Sequence, residues 1–240
     1  MWTRFGKSPQ ERRSRDFTPS ALTGTLPLLL AGPTAAVVLA HLKTSHHRTA
    51  LGIMAFGVIL QGMGILLSLL YQSSILDRLH NNGFPNAKER PGLFLASIPP
   101  ALTAWAAAAL ARQALRHFPT HSTAPGGDPG LVVGGVALSY VGVAFGLVFW
   151  GLSVWWFVVA AVANLGKLRQ LGNEVAEGFM IVFAHAVLFL ASNQLLRAFD
   201  WPKALTVVNE ILGVATIVVW AVLLVVVVLG VVTGRLVSDE

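Results

Sequence analysis

Residues 49–72 read TALGIMAFGVILQGMGILLSLLYQ and contain no Asp, Glu, Lys or Arg. Coiled at 1.5 Å per residue, such a stretch is longer than the roughly 30 Å of hydrocarbon in a bilayer. It therefore reads as a membrane-crossing helix, and similar runs recur on both sides of it. The six expected spans are residues 21–42, 50–72, 91–111, 140–164, 178–196 and 208–233. The uncharged run from Gly130 to Gly166 is too long for one crossing and barely long enough for two. Tyr140–Asn164 is taken as the span, with Leu131–Ser139 as a helical or interfacial lead-in.

Composition agrees. Of 240 residues, 55% are hydrophobic and 12% charged, against about a quarter charged in soluble domains. Mean hydropathy is +0.67. The fold class expected is an all-α integral membrane protein of six transmembrane helices. The absence of cysteine removes disulfides, thiolate metal sites and thiol nucleophiles. The net charge of +6 does not point to nucleic acid, because the basic residues lie between apolar runs, where they set orientation. Most of the 17 Lys and Arg fall on the side of the N-terminal segment, which places both termini in the cytosol. The organisation is a basic cytosolic segment 1–20, a transmembrane region 21–234 and a tail 235–240, with the lipid bilayer as the first partner. The turn-rich HFPTHSTAPGGDPG (His117–Gly130) is the longest polar connection.

Proline is unevenly placed. The first span carries Pro27 and Pro33 and the third carries Pro99 and Pro100, whereas the interiors of the second, fourth and sixth have none. Each proline removes a backbone donor and frees a carbonyl four residues earlier. In a membrane such groups must be satisfied by protein or by a water-filled cavity. Kinked odd-numbered helices beside uninterrupted even-numbered ones suggest inner helices lining a path and outer helices facing lipid. Small residues of the third span, Thr103 among them, fit a pore wall and close helix packing equally well.

Polar residues inside spans are costly and mark partners or paths. Gln61 reads as a helix-packing hydrogen-bonder in preference to a substrate contact. His185, flanked by Phe183 and Phe189, fits either a pore-facing or a packed neutral imidazole, and Asn193 lies on the same span. Glu210 is read as interfacial. No Lys or Arg lies deep within a span, so an anion in transit would rely on backbone N–H groups and half-helix dipoles at the kinks. Phosphate-binding loops, metalloprotease motifs and nucleophile elbows are absent, so the chain is not read as an enzyme and no cofactor is expected. His41, His46 and His47 cluster without a neighbouring carboxylate, and no metal site is assigned.

Three blocks carry a resemblance: FGVILQGMG (Phe56–Gly64), RPGLFLASIPPALT (Arg90–Thr103) and LVFWGLSVWWFVVAAVA (Leu147–Ala163). They resemble the tellurite-resistance/dicarboxylate transporter family, in particular its fungal malic-acid-transport-like branch. The resemblance implies ten helices in five hairpins around a central pore, with odd-numbered helices kinked and a phenylalanine of the ninth as gate. The six spans then match the fifth to tenth helices, and the gate matches Phe183. The family's tryptophans before this segment and the proline after the gate are replaced here by Gly178, Phe179 and Ala184.

The resemblance implies passage of small organic or inorganic anions, foremost C4-dicarboxylates such as malate, across the plasma membrane, with sulfite efflux as the alternative cargo. Candidate pore-lining residues are Pro27, Pro33, Pro99, Pro100, Thr103, His185 and Phe189. Movement would be downhill or with a proton, and His185 would lend pH dependence. Three hairpins do not close a ring built from five. Oligomerisation of the chain is one expected resolution, and a truncated, non-transporting paralogue or accessory subunit is the other.

Overall fold

The second span shows why the chain folds as it does. In the computed structural model, which describes residues 19–44, 46–86, 89–118, 129–165, 175–198 and 203–232, this span is one unbroken helix. Gly57, Gln61, Gly64, Ser68 and Gln72 recur every three or four residues along it and are all buried, so small and polar residues form the packed face. Phe56, Ile59, Leu66 and Leu70 occupy the opposite face and are exposed, as lipid demands. Lipid tails are as apolar as leucine, so helix association rests on close approach and on polar contacts. The arrangement is that of a soluble helix turned inside out.

The element order is a 3-10 segment (Pro19–Thr25), α1 (Leu26–Leu29), α2 (Ala31–His41), α3 (His47–Asn82), a second 3-10 segment (Arg90–Ser97), α4 (Ile98–His117), α5 (Pro129–Asn164), α6 (Val175–Ala198) and α7 (Lys203–Val232). Among the described residues all regular structure is helical. Five segments are long and apolar enough to cross a membrane: Leu22–His41, Arg48–Asn82, Arg90–His117, Val133–Asn164 and Met180–Ala198; Thr206–Val222 of α7 is a shorter apolar stretch. The chain is an all-α membrane protein. The long fourth run is a single helix: α5, like α3, has 36 residues and a length of about 54 Å, so both must tilt or project beyond the hydrocarbon. The segments 1–18 and 233–240 and most of the polar connection after His117 lie outside the described residues.

Helix ends follow local chemistry. Gly83 closes α3 at φ 70° and ψ −163°, a conformation open in practice only to glycine. Phe118 turns extended after α4, because Pro119 follows it and crowds the helical conformation of its predecessor.

Helix α4 is the most enclosed of the crossing segments. Its Ala101, Ala104, Ala106, Ala108, Ala109, Ala111 and Ala114 are all buried, and these small side chains let neighbours come close. A Cβ on Gly32 would sit 2.7 Å from the Ala106 Cβ, and one on Gly57 would sit 2.6 Å from the Ala35 Cβ. The first span is thus wedged between α3 and α4. At one end of the bundle Arg116 donates to the Ala40 carbonyl, and the His117 Nε2 lies 2.8 Å from the Leu39 carbonyl oxygen. Two basic side chains of α4 therefore cover the last turn of α2, where carbonyls lack helical partners. At the other end Arg78 pairs with Glu89 at 2.8 Å, and Arg90 reaches the carbonyls of Pro85 and Ala163.

Candidate functional site

The start of α4 is where the sequence breaks its own helix. Pro99 and Pro100 offer no N–H to Leu95 and Ala96, four residues earlier, and the chain runs as 3-10 up to Ser97. Both carbonyls are nevertheless satisfied. The Ile98 N–H donates to Leu95, and Gln72 Nε2 of α3 donates to Ala96 at 3.0 Å. The Gln72 Oε1 in turn accepts from the indole N–H of Trp156 at 2.9 Å, and Ser153 donates to the Ser97 carbonyl at 2.8 Å. Gln72, Trp156 and Ser153 are buried, so α3 and α5 close the kink of α4 with polar groups.

This closure corrects one expectation. The kink of the third span was expected to present backbone N–H groups to a passing anion. The Ile98 N–H is bonded to Leu95, and the next two positions are prolines without N–H groups. The first turn of α4 supplies no free donor at these three positions. In the first span Pro33 removes the donor for Leu29, the residue at which α1 ends.

Of the residues singled out from sequence, Pro33, Pro99, Pro100 and Thr103 are buried and Pro27 is exposed. Gln61 Nε2 donates to Thr103 Oγ1 at 2.9 Å, and Thr103 Oγ1 donates to the Pro99 carbonyl at 2.9 Å. The Gln61 Oε1 lies against Gly32 and is buried without a hydrogen-bond partner. Gln61 and Thr103 therefore meet where the first three spans meet.

The three candidates on α6 separate. His185 sits edge-on to Phe157 of α5, ring centroids 5.8 Å apart, and lies near the Leu212 backbone of α7. Phe189 packs against α7, its ring closing the space above Gly213. Both face the helices that follow α4 in sequence. Phe183 is 46% exposed beside the fully buried Ala184, so it projects from the packed helices. Asn193 is half-buried, and Glu210 is exposed near the start of α7.

Two features escape a reading of composition and motifs. One is the Gln72–Ala96–Trp156 junction, whose signal was the spacing of Gln72 eleven residues after Gln61, on the same face of α3. The other is Arg112 of α4, half-buried at the end of the third apolar run, which hydrogen-bonds to the Gln194 Oε1 of α6. Among the described residues no group of three or more His, Cys, Asp or Glu comes together.

These features can be set beside known proteins. Residues 1–228 match the family described as voltage-dependent anion channel (SLAC1). Two Schizosaccharomyces pombe relatives are similar. One is named "Putative malic acid transport protein", 24% identical over 217 residues that cover 88% of this chain and 47% of the relative. The other is named "Malic acid transport protein", 26% identical over 174 residues that cover 70% and 37% respectively. The chain thus spans less than half the length of either relative. No solved structure matches it. By the extent of the family match, this chain belongs to the voltage-dependent anion channel family.

Proposed function

We propose that the protein moves small anions across a membrane, C4-dicarboxylates such as malate foremost, along a path bordered by the exposed face of α6, with Phe183 as the occluding side chain. The observation that carries this reading is the family match over residues 1–228. The names of the two yeast relatives favour a dicarboxylate over sulfite. The exposure of Phe183 supports its role, since a gate must stand free of the packed core. His185 and Phe189 turn toward α5 and α7 and are placed to hold α6 in position behind the gate.

In this reading the six expected spans form part of the wall of the ring that the resemblance implies. Both termini lie in the cytosol in this reading, the orientation that the distribution of Lys and Arg favours, and the membrane is taken to be the plasma membrane. The test is uptake of labelled malate by a transporter-deficient yeast expressing the chain, alongside sulfite tolerance. Malate uptake above that of the empty host supports the reading. Unchanged uptake together with unchanged sulfite tolerance overturns it in favour of a non-transporting membrane protein.

A further inference from the structure

Helices α2, α4 and α6 end on the same side of the bundle, and the basic residues there are not equivalent. Arg116 covers the Ala40 carbonyl and so closes a helix end. Arg112, one turn earlier, reaches across to Gln194 Oε1, and its own Nε is buried without a hydrogen-bond partner. Arg197 lies close enough to act electrostatically on Arg112. Among the described residues neither guanidinium forms an ion pair, the one such pair being Arg78 with Glu89. Two like charges in one neighbourhood, one of them half-buried, disfavour each other, and a bound anion relieves both.

Their position adds the second observation. Phe183, Ala186, Leu190, Gln194 and Arg197 follow one another at intervals of three or four residues and so share one face of α6. Phe183 and Arg197, at the two ends of this line, are both exposed. At 1.5 Å per residue, Gln194 lies roughly 16 Å along the axis from Phe183 and Arg197 about 21 Å. The basic group stands at the helix end of the face on which the phenylalanine projects.

We propose that Arg112 and Arg197, with the Gln194 amide that Arg112 holds, bind a carboxylate of a small organic acid at the entrance to the path over Phe183. A guanidinium presents paired N–H donors that match the two oxygens of a planar carboxylate, a fit a spherical halide does not offer. The unpartnered Nε of Arg112 is one of those donors. With Gln194 Oε1 engaged as acceptor, its amide NH₂ is a further donor. The site collects the anion and leaves it mobile, since one carboxylate of a dicarboxylate is held while the other end is free.

This inference rests on the transport reading, and the experiment keeps the two apart. Malate uptake and malate-dependent thermal stabilisation of the detergent-purified chain are measured for wild type, Arg112→Gln, Arg112→Lys, Arg197→Gln and Arg116→Gln. The site predicts that Arg112→Gln raises the KM for malate about tenfold or more, because a charge-assisted contact is lost. Arg197→Gln raises it less, and Arg116→Gln leaves it unchanged although the same charge is removed from the same end. Arg112→Lys retains the charge without the fork and lies between.

Equal effects of all three neutral variants would overturn the site in favour of a general surface potential. So would no effect from Arg112→Gln or Arg197→Gln in an active protein. If Arg112→Gln does not fold, Arg112→Lys and the exposed Arg197→Gln decide. If wild type moves no anion, the transport reading fails, and malate stabilisation decides the site. Stabilisation stronger than chloride gives at matched ionic strength and lost in Arg197→Gln sustains it; none, or the same as chloride, overturns it.

Discussion

Gln72 donates its amide hydrogen to the carbonyl of Ala96 at 3.0 Å, the carbonyl that Pro100 deprives of its helical donor. One side chain of α3 thereby repairs a backbone defect in α4, while its other amide atom receives the Trp156 indole of α5. Replacing Gln72 by Ala leaves two buried groups unpaired and is expected to destabilise the protein by about 1–3 kcal/mol. Pro100→Ala restores a backbone donor to Ala96. The double variant is expected to be more stable than the two single effects sum to, a coupling read from a double-mutant cycle of thermal unfolding in detergent. Strict additivity would mean that Gln72 does not serve this carbonyl.

Gly32 should tolerate no side chain. A Cβ there meets both the Ala106 Cβ and the Gln61 Oε1 at 2.7 Å; the amide can turn aside, but the Ala106 Cβ cannot move without shifting a helix. Gly32→Ala is expected to lower the unfolding temperature by several degrees and to broaden the size-exclusion peak. The same change at Gly62, where nothing lies within 4 Å, is expected to be neutral or slightly stabilising, since alanine is the better helix former.

The two phenylalanines of α6 should respond in opposite ways. Phe183 is exposed, so Phe183→Ala is expected to preserve stability and raise anion flux severalfold in the uptake assay. Phe189 fills the space over Gly213, so Phe189→Ala is expected to loosen α7 from α6 and lower stability by about 2–4 kcal/mol. Unchanged flux in a folded Phe183→Ala protein would remove that residue from gating.

At Gln61 the sign of the effect depends on the replacement. Its amide donates to Thr103 while Oε1 has no partner, so Gln61→Leu removes one modest interhelical bond, about 0.6 kcal/mol in membranes, along with a buried unpaired acceptor. The net change is expected to stay within about 1 kcal/mol. Gln61→Glu puts a carboxylate in the same place and is expected to cost 3 kcal/mol or more. Thermal melts of the two variants, recorded side by side, check both.

The helices were legible because charge-free runs of that length have one stable form in a bilayer, and the proline pairs marked the breaks. Which faces meet was harder to read. On α3 the polar residues Gln61, Ser68 and Gln72 mark the packed side, the reverse of a soluble helix, and only their spacing reveals this. The roles of the proline-freed carbonyls could not be read from α4 alone. The donor for Ala96 lies on another helix, at a distance in sequence that no local rule predicts. Phe183 and His185, two residues apart on one helix, point in different directions. The sequence leaves His185 open between a pore-facing and a packed position, and only its packing against Phe157 sets it apart from the exposed Phe183. Arg112 directly follows the third charge-free run, but its contact with Gln194 depends on how α4 and α6 approach.

The repair of α4 by α3 also bears on the order in which the protein is made. Gln72 precedes Ala96 by 24 residues, so the donor leaves the ribosome before the acceptor that needs it. A nascent α3–α4 hairpin carries its own remedy for the Pro99–Pro100 break and can enter lipid as a pair. Trp156, 84 residues after Gln72, is made later and completes the junction.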